Sequence, residues 1–131
     1  MRVFIVEDEH LLIKYIRNTI DWEALGMEVV GEARDGETAL EQIPLVQPHI
    51  VLMDINIPIK NGIETSKEIR ERYPYTKIII LTGYGEFQYA KEAIKLGVFR
   101  YLLKPIDMEE LRDALECAKR EIQNEIAIME Y

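Results

Sequence analysis

Short apolar runs recur along this chain, and four of them lead directly into polar residues. The runs at residues 3–6, 50–53, 78–81 and 101–103 are followed by Glu7 and Asp8, by Asp54, by Thr82 and by Lys104. Such runs of largely β-branched and other apolar residues are typical of strands buried on both faces, as in parallel sheets. Because parallel strands end at a shared edge, where open α/β sheets bind ligands, we expect these polar side chains to converge there.

The rest of the chain alternates between strands and helices. Strands are expected at about residues 2–7, 28–33, 49–54, 77–82 and 99–103, with helices at about 10–20, 36–43, 62–73, 86–96 and 107–129. This alternation predicts a single doubly wound α/β domain with five parallel strands and five helices. Spacing alone does not give the strand order, but the flavodoxin-like order 2-1-3-4-5 is common at this size.

Local signals predict where the helices begin and end. Asp35 can cap the second helix, which Pro44 and Pro48 are expected to stop. Asn61 and Glu64 have the spacing of a capping box for the third helix. The inward face of the first helix is expected to consist of Leu11, Leu12, Tyr15, Ile16 and Ile20.

Asp54 is the candidate nucleophile, because a strand-end carboxylate can attack phosphorus and form an aspartyl-phosphate. The alternative is a helix cap, but the predicted cap of the next helix is Asn61, seven residues later. The other groups expected at the same edge therefore favour a phosphoacceptor.

Glu7 and Asp8 are expected beside Asp54. An acidic pair before a helix often only compensates the helix dipole, and that interpretation stays open. Three neighbouring carboxylates, however, would repel one another unless a cation lay among their oxygens. Hard oxygen ligands and phosphoryl chemistry favour Mg²⁺, with Mn²⁺ as an alternative.

Lys104 and Thr82 are candidate phosphoryl-binding residues. The Lys104 ammonium could contact one phosphoryl oxygen as a compact charge, and the Thr82 hydroxyl could donate to the same group. The alternatives are a surface lysine and an ordinary strand threonine. Pro105 favours the functional interpretation of Lys104, since an X-Pro bond permits a cis peptide that would direct the side chain into the site.

The absence of some motifs from the sequence limits the reactions that the site could carry out. The sequence has no GxxxxGK[ST] or GxGxxG phosphate-binding loop. Asn56, two residues after Asp54, cannot serve as a general acid or base, which disfavours a phosphatase of the aspartyl-phosphate type. We expect a switch that releases phosphate slowly and not a turnover enzyme. An interaction module that is never phosphorylated remains the alternative.

Composition limits the partners. Twenty-four acidic residues against sixteen basic ones give a net charge of −8, which disfavours direct nucleic-acid contact or else simply maintains solubility. No apolar stretch approaches the roughly 20 residues that span a bilayer, so no membrane contact is expected. A single cysteine, Cys117, is consistent with a reducing, cytoplasmic compartment.

One ordered set of motifs spans most of the chain. It consists of Glu7-Asp8, Asp54, Pro58, Gly62, Thr82-Gly83 and Tyr101-Leu102-Leu103-Lys104-Pro105. Over about residues 1–120 this set closely resembles the receiver domain of bacterial two-component response regulators. The segments at 20–27 and 81–90 are similar to receivers attached to AraC-type helix-turn-helix DNA-binding regions, and no such region lies within these residues.

The resemblance implies a role for each motif. Asp54 would accept phosphate from a sensor histidine kinase, and Thr82 and Lys104 would hold the phosphoryl oxygens. Tyr101 would turn inward when Thr82 moves, although a half-buried aromatic residue is the plain alternative. Mg²⁺ would be held by Asp8, Asp54, the backbone carbonyl of Asn56 and, through water, Glu7. Glu7 replaces the aspartate more often found first in the acidic pair.

The output surface is expected on the fourth helix, fifth strand and fifth helix, around Lys91, Lys95, Tyr101, Arg112 and Glu116. Moving such a switch from mostly off to mostly on requires about 5.5 kcal/mol of differential binding. Control of transcription is then expected through a DNA-binding region outside this chain.

The last helix is expected to outrun the sheet. At 1.5 Å per residue it measures about 33 Å, against about 17–20 Å for a strand. We therefore divide the chain into a receiver at 1–121 and a helical extension, the start of a linker, at 122–131. The extension predicts a second copy of the chain or a downstream domain as a partner, with a frayed end as the alternative. A homodimer could form through this helix or through the output surface.

Overall fold

A computed structural model describes residues 1–83 and 87–130, apart from the side chains of residues 87, 89 and 90. Its strands are β1 (Arg2–Val6), β2 (Glu28–Ala33), β3 (Ile50–Asp54), β4 (Lys77–Thr82) and β5 (Arg100–Leu103). Its helices are α1 (His10–Thr19), α2 (Trp22–Leu25), α3 (Gly36–Val46), α4 (Gly62–Arg72), α5 (Phe87–Leu96) and α6 (Met108–Glu130). The start of the expected fourth helix at residue 86, and Tyr84 and Gly85 of the 81–90 segment, lie outside the described residues.

The five strands form one parallel sheet in the order β2-β1-β3-β4-β5, which confirms the predicted doubly wound, flavodoxin-like fold. Alternate side chains of β1 enter different cores: Val3 and Ile5 pack with α1, α2 and α6, and Phe4 and Val6 pack with α3, α4 and α5. All four are fully buried. Burial on both faces explains why the central strands are continuous apolar runs.

The buried face of α1 differs from the predicted one. Ile13, Ile16 and Ile20 point into the core, whereas Leu11 is 79% exposed and Tyr15 is 53% exposed. The prediction for Leu11 and Tyr15 was wrong because two apolar rows run along this helix. Periodicity reveals both rows, but only contact with the sheet decides which one is buried.

Helix α3 continues past Pro44 and ends at Val46, so the expectation that Pro44 stops it was wrong. Pro44 lacks the N–H that would bond the Leu40 carbonyl, and its ring crowds that oxygen, but its φ is compatible with a helix and only two helical residues follow it. The end comes at Gln47, whose φ of 45° is left-handed and which precedes Pro48. Asp35 caps the start through its contact with the Thr38 amide at 2.7 Å.

Two helices add detail to the predicted pattern. The short helix α2, capped by Asp21, is a sixth helix that the five-helix pattern did not include. The inward face of α6 is buried as far as Ile122, and beyond it Ile126, Ile128 and Met129 are exposed. Among the described helices, none is long and apolar enough to cross a membrane.

Candidate phosphoacceptor site

The C-terminal edge of the sheet gathers the predicted polar groups. Asp54 is the last residue of β3 and lies in register with Leu81, one residue before Thr82. Glu7 follows β1 directly, and its amide donates to the Ala33 carbonyl of β2 at 3.0 Å. These strand ends therefore place residues that are far apart in sequence at one edge.

Lys104 joins the two buried carboxylates. Its ammonium lies 2.9 Å from Glu7 Oε1 and 3.4 Å from Asp54 Oδ1. The Glu7 side chain is fully buried and that of Asp54 is 2% exposed, whereas that of Lys104 is 25% exposed. The Lys104–Pro105 peptide is cis. The site thus presents one partly exposed cation over two carboxylates that are almost completely shielded from water.

The protonation equilibria reflect this crowding. Burial raises the pKa of Glu7 to about 8, and hydrogen bonding to Asp54 and its negative charge add to the effect, while Lys104 opposes it. Partial burial lowers the pKa of Lys104, but its contacts with Glu7 and Asp54 together outweigh burial, so the net shift is upward. The ammonium is therefore the charge that this edge holds most firmly.

The acidic cluster has the donor set that a hard divalent cation requires. Glu7, Asp8 and Asp54 each offer a carboxylate oxygen, and these oxygens lie within 4.8 Å of one another. Asp8 is exposed, which leaves the cluster open to solvent on one side. Among the described residues, Glu7 Oε1 is buried without a well-formed hydrogen bond, although the Lys104 ammonium is near enough for an ion pair. These oxygens fit Mg²⁺, which prefers a few carboxylates and retains several waters.

The remaining predicted residues are less closely defined. The Asn56 amide donates to Asp54 Oδ1 at 3.3 Å, and the Asn56 side chain is exposed. Thr82 is buried at the end of β4, with its hydroxyl 3.5 Å from the Gly83 carbonyl. Tyr101 lies on the edge strand β5 and is 48% exposed. The carbonyl of Asn56, the Thr82 hydroxyl and Tyr101 therefore keep their roles as predictions.

Two glycines support the site through close backbone contacts that the sequence does not predict. A Cβ on Gly62 would lie 2.2 Å from the Asp54 carbonyl oxygen, and one on Gly36 would lie 2.3 Å from the Lys60 carbonyl oxygen. Both follow Asp or Asn, and those dipeptides indicate only a turn or a helix start. No local pattern reveals which backbone a glycine will touch.

A groove of about 460 Å³ opens beside the site. It is lined by Glu9, Leu12, Tyr15, Gly83, Lys104, Pro105 and Ile106. The exposed Tyr15 of α1 thus forms one wall, and Lys104 connects the groove to the carboxylates. A protein that approached Asp54 from this side would find a largely apolar surface.

Comparison with known proteins identifies the family. Residues 3–116 match the family described as the response regulator receiver domain. The chain belongs to this family. Receiver domains are generally signalling modules and not turnover enzymes, and phosphorylation and magnesium binding are typical of them.

Individual receivers resemble the chain closely. It is 39% identical over 115 residues to the uncharacterized transcriptional regulatory protein YesN of Bacillus subtilis, covering 88% of this chain and 31% of YesN. It is 35% identical over 120 residues to the uncharacterized transcriptional regulatory protein YvfU of the same organism, covering 91% and 60%. The chain therefore spans about one third to three fifths of these relatives.

Solved structures agree with this assignment. The receiver domain of AraT, a response regulator from Geobacillus stearothermophilus, superposes with a TM-score of 0.89 at 42% identity, covering 95% of this chain and 96% of that one. A two-component transcriptional regulator AraC from Clostridium phytofermentans gives 0.86 at 31% identity, covering 97% and 98%. The expected likeness to AraC-type receivers is thus confirmed.

Proposed function

We propose that this receiver is a phosphorylation-dependent switch in which Asp54 accepts a phosphoryl group from a sensor histidine kinase. The observation that carries the proposal is the Lys104 ammonium 3.4 Å from the buried carboxylate of Asp54. In the transfer, an Asp54 oxygen forms a bond to phosphorus, the phosphorus–nitrogen bond to the donor histidine breaks, and the imidazole leaves. Lys104 and the Thr82 hydroxyl bind the phosphoryl oxygens, which carry more charge after transfer than the free carboxylate.

The acidic cluster holds Mg²⁺ in this proposal, with Mn²⁺ as a substitute. Asp8, Asp54 and the Asn56 carbonyl would hold it, and Glu7 would act through water. When bound, the ion neutralises the carboxylates and polarises the incoming phosphoryl group. Burial of Glu7 and Asp54 keeps bulk water away from one side of this group, and the exposed Asp8 leaves the other side accessible.

The output follows from differential binding. One arrangement of the loops after β4 and β5 binds the phosphoryl group better through Thr82 and Lys104, and phosphorylation shifts the population toward it. Tyr101 turns inward in that arrangement and alters the surface formed by α5, β5 and α6, which contains Lys91, Lys95, Arg112 and Glu116.

The longer relatives suggest how the signal is used. We assign residues 1–121 to the receiver and 122–131 to a helical linker toward a DNA-binding region. The complete protein would then be a cytoplasmic transcription regulator. A second copy of the chain binds through the α5–β5–α6 surface or the end of α6. The receiver itself, with its net charge of −8, makes no direct nucleic-acid contact.

Intact mass spectrometry tests the chemistry. The protein is incubated with Mg²⁺ and phosphoramidate, and we expect the mass of one added phosphoryl group in wild type. Asp54→Asn should show no adduct, whereas the matched control Asp35→Asn, which changes a helix cap, should be labelled like wild type. No adduct in wild type at any Mg²⁺ concentration would favour the interaction module. Repeated turnover of a small phosphate ester would favour a phosphatase.

A further inference from the structure

The loop that follows Asp54 contains a strained residue. Ile59 has a φ of +69°, a left-handed conformation that β-branched residues rarely adopt. The Lys60 amide donates to the Pro58 carbonyl at 2.8 Å, so Ile59 is the centre of a γ-turn of the rare positive-φ kind. Its side chain is 74% exposed, so burial of the side chain does not explain the strain.

The contacts of Lys60 explain why the turn persists. The Thr65 hydroxyl donates to the Asn61 carbonyl at 2.7 Å and lies 3.3 Å from the Lys60 carbonyl oxygen. A Cβ on Gly36 would lie 2.2 Å from Thr65 Oγ1 and 2.3 Å from the Lys60 oxygen. The Lys60 ammonium also pairs with Glu68 of α4. Amide, carbonyl and side chain of Lys60 are thus all engaged, and the preceding residue must adopt the conformation that remains.

The beginning of the same loop is fixed at the site itself. Gly62 packs against the Asp54 backbone, and its amide donates to the Ile55 carbonyl at 2.9 Å. Asn56 lies between Ile55 and Lys60, and its amide donates to Asp54 Oδ1 at 3.3 Å. A shift of Lys60 would therefore pass along a short, tightly held segment to the carboxylate.

We propose that the contact of the Lys60 carbonyl with Gly36 and Thr65, which keeps Ile59 left-handed, positions the loop from Ile55 to Asn61 for cation and phosphoryl binding. Gly36 and Thr65 are then positioning residues, since they act through the Asn56 backbone, and Ile59 is the residue whose backbone takes up the strain. The inference rests on the proposed function, because it names residues that prepare the same site.

A double-mutant cycle tests it. Gly36→Ala places a methyl group against the Thr65 hydroxyl and the Lys60 carbonyl, and we expect at least a fivefold loss of Mg²⁺ affinity measured by calorimetry. Ile59→Gly removes an exposed side chain without opening a cavity, and we expect a higher urea midpoint with Mg²⁺ affinity within twofold of wild type. Because the Ile59→Gly change lets the loop adjust to the new methyl group, the double variant should recover most of the lost affinity, which is a non-additive result.

Gly31→Ala is the matched control. A Cβ there would lie 2.9 Å from the Phe4 ring in β1, so the variant should be destabilised with unchanged Mg²⁺ affinity. Equal loss of affinity in Gly31→Ala and Gly36→Ala, or additive effects in the double variant, would overturn the inference. If Gly36→Ala does not fold, Thr65→Val replaces it. That variant should lower the affinity at least threefold, and an unchanged affinity would overturn the inference.

The two proposals fail in different ways. Wild type that binds Mg²⁺ but takes no phosphoryl group from phosphoramidate contradicts the proposed function and leaves the coupling between Gly36 and Ile59 measurable. Normal phosphorylation with no such coupling contradicts only the positioning role.

Discussion

The two edges of the sheet differ in the charged groups that they hold and in how far those groups are buried. At the N-terminal edge, Arg2 Nε donates to the carbonyls of Val46 and Gln47 at 3.1 and 2.9 Å, and the terminal ammonium donates to Gly26 at 2.7 Å. Both cations bind backbone oxygens, and Arg2 is exposed while Met1 is partly exposed. At the C-terminal edge, two buried carboxylates share one lysine. The first edge stabilises loops, whereas the second concentrates carboxylates that can bind a cation or attack a phosphorus atom.

Removal of Lys104 from the C-terminal edge should cause the largest loss of stability. Lys104→Met leaves Glu7 and Asp54 without their cation, and we expect a loss of about 3 kcal/mol in the free energy of unfolding. The loss should be greatest above pH 8, where Glu7 cannot relieve the repulsion by keeping its proton. Urea denaturation without metal measures it, with the exposed Lys14→Met as control. Equal stability of the two variants would mean that the ion pairs of Lys104 with Glu7 and Asp54 do not stabilise the fold.

Glu7→Gln should remove the loss of stability that Glu7 causes in wild type as the pH rises. The folded-state pKa of Glu7 is raised from 4.5 to about 8, so the folded protein binds the proton more tightly than the unfolded chain. The stability that Glu7 contributes is therefore complete below about pH 4.5 and is lost as the pH rises through about 8. Without metal, we expect Glu7→Gln to exceed wild type by about 2 kcal/mol at pH 9, with the difference shrinking toward pH 5. Parallel stability curves from thermal denaturation would contradict this account.

Arg2→Met should produce the smallest change and one confined to stability. The variant loses charge-assisted hydrogen bonds to two carbonyls, and because the group is exposed we expect a cost of about 1 kcal/mol. Mg²⁺ affinity and labelling by phosphoramidate should match wild type, since these contacts lie at the opposite edge. A changed Mg²⁺ affinity would show that the two edges are coupled through the strands.

Much of the site could be predicted because it depends on strand ends. Glu7, Asp54 and Lys104 each follow an apolar run, and parallel strands end at a common edge whatever the order between them. The sequence does not give the strand order 2-1-3-4-5, which could be predicted only because it is the common arrangement at this size. Leu11 and Tyr15 were misassigned, since periodicity defines rows of a helix and not the row that meets the sheet.

The sequence by itself determined that this chain forms alternating strands and helices and that carboxylates and a lysine meet at one edge, because apolar runs and their ends are local properties. Only the tertiary structure decided that Gly36 meets Lys60, that Ile59 is left-handed and that burial raises the pKa of Glu7. Each of these depends on backbone and charge brought together from distant segments, and close packing and low dielectric act only after those segments meet.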